Sequence, residues 1–477
     1  MPVDTKHPEY LAMRPQWEKM RDVVIGQRAV HAARERYLPR LDGEKDAKYL
    51  ARLLRSTFFN ATWRTIEGLA GMVFRVDPTV VVSPAVEPYL RDVTKSGVPL
   101  ETFASSVLVE ALEVGRVGIL TDYPATATEG MTRAQAEQMN LRPQLALYPA
   151  ESIINWSTSW VNNRDEKTLV VLEESVRVPG VDRYEVKTEK RWRVLELVEV
   201  EPTVWVYQVT VWRKNEAGLD EIDVPTFRPI MNGRPLSAIP FQFIGVKDLT
   251  TRVDEPPLSD LADVNLSHYR STSDRKHGAH LTALPQPWAN NVKPAFGPSG
   301  EVLAQEMTMG GGELWTFQAD TTVGMLEYTG QGLNTLKEEI EREEGQMAVL
   351  GARMLEQQKK GVETAESAGI HRAGEQSALA AQAGVVSQGI AQALQIFQEW
   401  GGGGDAPVGF ELNKNYFPAQ LSPQHLTALV SAWQMGALTE QELFWNLQNG
   451  GAISEDVSYD DHKATLDAAG PQLTQGA

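Results

Sequence analysis

Hydrophobic positions recur at helical spacing through the first 75 residues. From Asp46 a stripe takes in Leu50, Leu53, Leu54, Phe58 and Phe59 and continues through Trp63, Ile66, Leu69 and Met72, which predicts one helical run closed by Pro78. A second helix is predicted over Leu100–Val114, then a short apolar strand at Val117–Leu120, with a polar excursion at residues 125–140. Between Leu141 and Phe243 the period changes to two. Three segments rich in Val, Trp and Tyr, separated by PG, EP and NEAG turns, predict an antiparallel meander in which Trp192, Trp205 and Trp212 pack on a sheet face.

Beyond Pro256-Pro257 the chain reads as helix to about Leu281, then as turns and short strands through a Pro/Gly-rich stretch. Thr335 and Glu338 form a capping-box pattern that opens a helix with Leu333, Leu336, Ile340, Met347 and Leu350 on one face. After the short segment GARMLEQQKKG, residues 363–400 give one long helical pattern, stopped by Gly401-Gly402-Gly403-Gly404. At about 1.5 Å per residue such a helix spans over ~50 Å. Its second half carries a stripe of Leu379, Val386, Ile390, Ala393, Phe397 and Trp400. Gly369, Gly374, Gly384 and Gly389 imply close backbone approach to other elements, or a kink. Two more helices follow, one capped by Ser422 with Pro423 in its first turn, the other by a Thr439/Glu442 box. The fold class is α+β.

Composition narrows the function. The 477 residues suggest two to four domains, and 42% apolar with 23% charged residues is the make-up of a folded chain. No apolar run is long enough for a membrane span, and the N-terminal stretch has no apolar core of a secretory signal. Without cysteine there is no disulfide framework, thiolate metal site or thiol nucleophile. A net charge of -18 argues against a sequence-specific DNA reader, which needs Lys and Arg to neutralise phosphates. The charge is uneven: residues 1–75 carry +5, residues 401–477 carry -7 and the middle -16. The ends would then face different partners or each other, or simply be solvated helix faces.

Candidate chemistry is sparse. There is no phosphate-binding GxxxxGK[ST] and no HExxH; the glycines at 310–312 and 401–404 read as joints. His277 and His280 lie three apart on a predicted helix and, with Asp274, offer a minimal metal set for a hydrolase, set against the plainer reading of surface histidines. Glu338, Glu339, Glu341, Glu343 and Glu344, interleaved with Lys337 and Arg342, read as a solvated or subunit-facing surface and not as an acid/base pair. No catalytic residue, metal or cofactor is predicted.

The order of elements resembles that of tailed-bacteriophage portal proteins, and specifically a portal subfamily often described only as a domain of unknown function. The residues that carry the likeness are YLPRLDGEKDAKY at 37–49, FFNATWRTIEGLAGMVFRVDP at 58–78, PPLSDLADVNLSHYRSTSDRKHGAHLTALPQPW at 256–288 and LGARMLEQQKKGVETAESAGIHRAGEQSALAA at 350–381, with Thr364-Ala365-Glu366 opening the long helix. The resemblance implies a portal fold: an α/β wing (1–255), a first stem helix (256–281), a small α/β clip (282–332), a second stem helix (333–350), a tunnel loop (351–363), a long wing helix (364–400) and a helical crown (401–477). It implies a non-enzymatic, dodecameric ring at a capsid vertex, in the virion and assembled in the host cytoplasm, through which double-stranded DNA is packaged and ejected. The partners it implies are further copies of the chain, the terminase large subunit, a head-tail adaptor, and a major capsid or scaffold protein. Arg353, Glu356, Gln357, Gln358, Lys359 and Lys360 would face DNA in the tunnel loop, Lys337, Glu338, Glu341, Arg342 and Glu344 would line the stem channel or bridge neighbouring subunits, and Trp288, Phe296 and Trp315 would dock partners on the clip. Lys359 and Lys360 either face the channel, or point to solvent or pair with Glu356 and Glu363. The alternatives are another head-tail connector ring and a metal-dependent hydrolase.

Overall fold

The computed structural model describes residues 2–124, 135, 138–180, 182, 184–282, 286–290, 295–296, 302–303, 321–326, 331–353, 377–416, 423–449, 452–453 and 457–469. The chain divides into two compact units, one of Met1–Ala70 with Thr79–Glu411, the other of Gly71–Pro78 with Leu412–Ala477. No helix among the described residues is long and apolar enough to cross a membrane.

The chain opens with helices α1 (Pro8–Ile25), α2 (Gln27–Ala32), α3 (Asp46–Arg55) and α4 (Ala61–Val73), the last of which runs from the first unit into the second. The stripe read as one run from Asp46 to Met72 is two helices, a correction with a local cause. Ser56 Oγ donates 2.7 Å back to the Leu53 carbonyl and ends α3, while Asn60 Oδ1 accepts from the Trp63 amide at 3.0 Å and starts α4. The break also turns Leu54 and Phe59 outward, 81% and 53% exposed, against the core role the stripe assigned them.

Strand β1 (Thr79–Val81) precedes α5 (Leu100–Val114), which ends on Gly115 at φ 76. A Cβ there would lie 3.0 Å from the Glu255 carbonyl oxygen, so glycine both permits the turn and admits the neighbouring backbone. Then come β2 (Val117–Asp122), β3 (Gln144–Pro149), β4 (Ile153–Val161), β5 (Arg164–Pro179), β6 (Val186–Glu201), β7 (Val204–Lys214), β8 (Asp220–Phe227), β9 (Ile230–Met231), β10 (Arg234–Pro235) and β11 (Phe241–Ile244). β4 to β8 form a five-stranded sheet in chain order, every neighbour antiparallel, with Trp192 opposite Trp212. That is the predicted meander. A three-stranded sheet, ordered β11-β2-β3, lies beside it.

The remaining elements of this unit are α6 (Ser259–Thr282), β12 (Gln286–Asn290), β13 (Ala295–Phe296), β14 (Val302–Leu303), β15 (Thr322–Leu326), α7 (Gln331–Arg353), α8 (Ala378–Trp400) and β16 (Gly409–Glu411), which pairs with β1. α8 starts on Ser377, whose Oγ accepts from the Ala380 amide at 3.2 Å. The small-residue half of the long pattern, including Thr364, Ala365 and Glu366, lies outside the described residues. Leu379, Val386, Ile390, Ala393 and Phe397 are fully buried, and α8 packs on β2 and β11. A Cβ on Gly389 would sit 2.6 Å from the Ile244 side chain, the close approach its sequence position implied.

The first unit holds a half-buried polar knot around Arg21. The Arg21 guanidinium meets Glu110 at 2.6 Å, Glu113 at 2.9 Å and Glu151 at 2.7 Å. Burial pushes the Glu113 carboxyl up to about 7, despite the opposing pull of Arg21. A group that binds its proton more tightly folded than unfolded contributes its full stability below its ordinary value near 4.5 and loses it as pH rises through about 7. Glu113→Gln should therefore gain stability over the parent across that window, by about 3 kcal/mol at pH 8. It should gain nothing near pH 4. Denaturant melts of both chains from pH 4 to 8 would check it.

The second unit carries α9 (Pro423–Gln434), α10 (Glu440–Asn449) and α11 (Tyr459–Ala469). The Thr439/Glu442 box is present: the Thr439 amide donates to Glu442 Oε2 at 2.8 Å and the Glu442 amide to Thr439 Oγ1 at 3.2 Å. Ser422 lies outside the described residues. The expectation of two helices is corrected to three. α11 is opened by Ser458, whose Oγ accepts from the Asp461 amide at 3.1 Å, an S-x-x-D signal readable in the sequence.

Candidate channel and docking elements

The predicted stem helices are α6 and α7, and they pack on each other as an antiparallel hairpin. His268 Nε2 lies 3.4 Å from Glu344 Oε1, and a Cβ on Gly278 would fall 2.9 Å from Leu333, so residues ten apart on one helix meet residues eleven apart, in reverse order, on the other. At 1.5 Å per residue each helix is about 35 Å long. α7 begins at Gln331, which puts Thr335 and Glu338 inside the helix; the predicted capping box there is corrected.

One side of α6 is tied by directional polar contacts to the N-terminal helices. Asn265 Oδ1 accepts from the Thr62 amide and hydroxyl at 3.2 and 3.1 Å, and its Nδ2 donates to the Phe59 carbonyl at 2.7 Å. Tyr269 OH lies 3.1 Å from Ser56 Oγ, and Lys19 pairs with Asp263 at 2.7 Å. Arg52, only 1% exposed, pairs with the equally enclosed Glu44 at 2.8 Å and approaches Asp274 at 3.7 Å. The Arg52 hydrogen bonds hold the Glu44 carboxyl below the usual carboxylate range, whereas burial moves Asp274 up. Of this polar clamp the sequence singled out Asp274 alone, and as a metal ligand and not as a partner of Arg52. The clamp's one signal is Asn265, His268 and Tyr269 at helical spacing on the face that also carries Leu261 and Leu266.

The metal set proposed from sequence does not assemble. His277 Nδ1 faces Arg55 Nη2 at 3.4 Å, and burial with the nearby Arg55 and Arg52 charges lowers its basicity. Two guanidiniums beside an imidazole repel a cation. Among the described residues, no three His, Asp or Glu side chains come together to hold a metal.

The five stem candidates fall on one side of α7. Lys337, Glu338, Glu341, Arg342 and Glu344 are all exposed, while Ile340, Glu343 and Met347, at i, i+3 and i+7, are buried. Lys337 pairs with Glu341 at 3.5 Å and Arg342 with Glu339, so these bonds run within the helix. Glu343 departs from the solvated reading of the carboxylate run: it is 3% exposed, and its Oε2 has no hydrogen-bond partner among the described residues.

At the far end of the hairpin β12 pairs antiparallel with β15, Trp288 opposite Gly324. A Cβ on Gly324 would lie 2.8 Å from the Trp288 indole, so only glycine lets the ring lie across the strand. Trp288 still shows 46% of its surface. Phe296 sits in β13, where its backbone pairs with Val302. Arg353 is the last residue of α7. Trp315, Glu356, Gln357, Gln358, Lys359 and Lys360 lie outside the described residues.

Residues 257–401 match a family model described as a domain of unknown function, DUF4055. The match takes in α6, the β12–β15 strands, α7 and α8, and so covers under a third of the chain. No curated protein matches. Among solved structures, a chain from the virion of a native gene transfer agent particle aligns at 12% identity over 92% of this chain and 98% of its own, with a TM-score of 0.36. A chain from the neck of the empty particle, computed with C6 symmetry, aligns at 13% over 90% and 95%, with a TM-score of 0.35. One from the native neck, computed with C12 symmetry, gives 12% over 82% and 91%, at 0.32. Superpositions this loose carry no argument about fold or function.

Proposed function

We propose that this chain is the subunit of a portal ring: a non-enzymatic, dodecameric channel at a capsid vertex through which double-stranded DNA enters and leaves. The observation that carries the reading is the antiparallel α6/α7 hairpin, closed at one end by the β12/β15 pair, with charged side chains gathered on the exposed side of α7. From residue 337 to 344, with Glu343 buried, the accessible side of that helix holds two cations and four carboxylates, a net of -2 per copy. Repeated around a ring, such a surface repels phosphates from every side and centres a duplex without gripping it, since each neutralised phosphate would add affinity and drag. In this arrangement α6 and α7 are the stem, β12–β15 the clip that meets the terminase large subunit and then the head-tail adaptor, and Lys359 and Lys360 a ring of about 24 cations at the constriction. Those lysines would contact the backbone without reading sequence. On this reading the protein belongs to the virion and sits against the capsid or scaffold protein.

Negative-stain micrographs and mass photometry of the purified chain test this. The expected result is an annulus with a central pore near 630 kDa, twelve copies of 52.8 kDa. A chain that stays monomeric or dimeric under assembly conditions overturns it.

A further inference from the structure

A cavity of about 730 Å³ lies away from the hairpin, between β5, the β9–β11 segment and the outer side of α8. Such a volume is within the range of small-molecule sites. Its lining includes Lys167, Arg234, Asn232, Gln392 and Ile396, and the carboxyl side chains Glu166, next to Lys167 on β5, and Glu399 of α8 also stand on its wall. Lys167 is brought there by a β-bulge. Between Ser157 and Thr158 of β4 the register of β5 steps from Leu169 to Lys167, leaving Thr168 as the extra residue. A bulge re-aims the side chains beside it and recurs next to functional sites. The re-aimed Lys167 Nζ donates 2.6 Å to the Phe241 carbonyl of β11, and it has no ion pair among the described residues. Arg234 and Asn232 are exposed, in and beside the short β9–β10 hairpin. That hairpin is held to α8 by Trp400 Nε1, which donates to the Ile230 carbonyl at 3.0 Å.

We propose that Lys167 is a selective acylation site, and that the cavity admits a small acyl phosphate whose phosphoryl group is met by Arg234 and Asn232. In the step, the Nζ lone pair attacks the acyl carbon and forms the C–N bond, and the C–O bond to phosphate breaks. Phosphate leaves with that electron pair, and the surplus Nζ proton passes to it or to solvent. Two features favour this lysine over the others. Burial lowers its ammonium to about 8, so a useful fraction is free amine at neutral pH. The Phe241 carbonyl accepts an N–H from the ammonium, the amine or the acylated amide alike, so the side chain stays positioned throughout. The product no longer carries a buried charge.

Acetyl phosphate at pH 7.5, with tryptic mapping by mass spectrometry over time, tests the assignment on the full chain. Lys167 should acetylate about tenfold faster than the exposed Lys48, Lys187 and Lys247, and its rate should level off above pH 8 while theirs keep rising. Arg234→Ala should slow Lys167 several-fold and leave the exposed lysines unchanged. A rate at Lys167 equal to or below theirs, or modification only after denaturation, overturns the proposal. So does an Arg234→Ala chain with an unchanged Lys167 rate, because the phosphoryl contact is then absent.

Discussion

Arg52→Ala is expected to destabilise the first unit by about 3–5 kcal/mol, the range for removing one partner of a buried ion pair. Both side chains are almost wholly enclosed, Arg52 at 1% and Glu44 at 5%. Glu44 takes two hydrogen bonds from the guanidinium, at 3.0 and 2.8 Å, and Arg52 also donates to the Pro39 carbonyl at 2.6 Å. Truncation would leave the carboxylate buried without its counter-charge. The pH dependence carries the opposite sign to that of Glu113. Arg52 lowers the Glu44 pKa, so the pair stabilises the fold above the ordinary carboxylate range and loses that contribution as pH falls through the lowered value. Parent and variant should therefore differ most at neutral pH and converge in acid. Urea melts at pH 7 and pH 3 would show this. A double variant, Arg52→Met with Glu44→Leu, should recover much of the loss, because the buried charge is gone.

Phe397→Ala is expected to cost a similar 3–5 kcal/mol, by a different route. Phe397 is fully buried near the end of α8, one turn after Ala393, whose carbonyl accepts from Thr121 Oγ1 at 3.1 Å. Removing the ring opens a cavity in the core beneath α8, and the main-chain tie at Ala393 hinders collapse. Trp400→Ala, at the partly exposed end of the same stripe, should cost far less. Equal losses at the two positions, in denaturant melts followed by tryptophan-independent circular dichroism, would contradict the burial argument.

How much of this was legible depended on the range of the interaction. α5 was readable to its last residue, because Pro99 and Gly115 bracket an apolar stretch and both act locally. The meander was readable because period-two runs alternate with turn residues. The hairpin helices were readable in extent to within about three residues at each end. The helix break at 56–60 was not, since Ser56 and Asn60 lie within an unbroken hydrophobic period and act through single hydrogen bonds. The pairings within the α6 clamp and the Lys167 cavity were not readable for another reason: each joins residues dozens to hundreds of positions apart. Of the stem candidates, their shared exposed side on α7 follows from the 3.6-residue period. The outlier Glu343 also follows from it, because it sits at i+3 from Ile340 and four before Met347.

The two helices of the hairpin are fastened unequally. α6 is held by bonds with a fixed direction, from Asn265, Tyr269, Asp263 and the Arg52 group, each of which must break for the helix to slide. α7 rests on Ile340 and Met347 and a 3.4 Å approach to His268, contacts that tolerate small displacements along the axis. A force applied at the β12/β15 end would thus meet a rail on one side and a runner on the other. Shear should appear first as travel of α7 along α6, with the N-terminal helices left at rest.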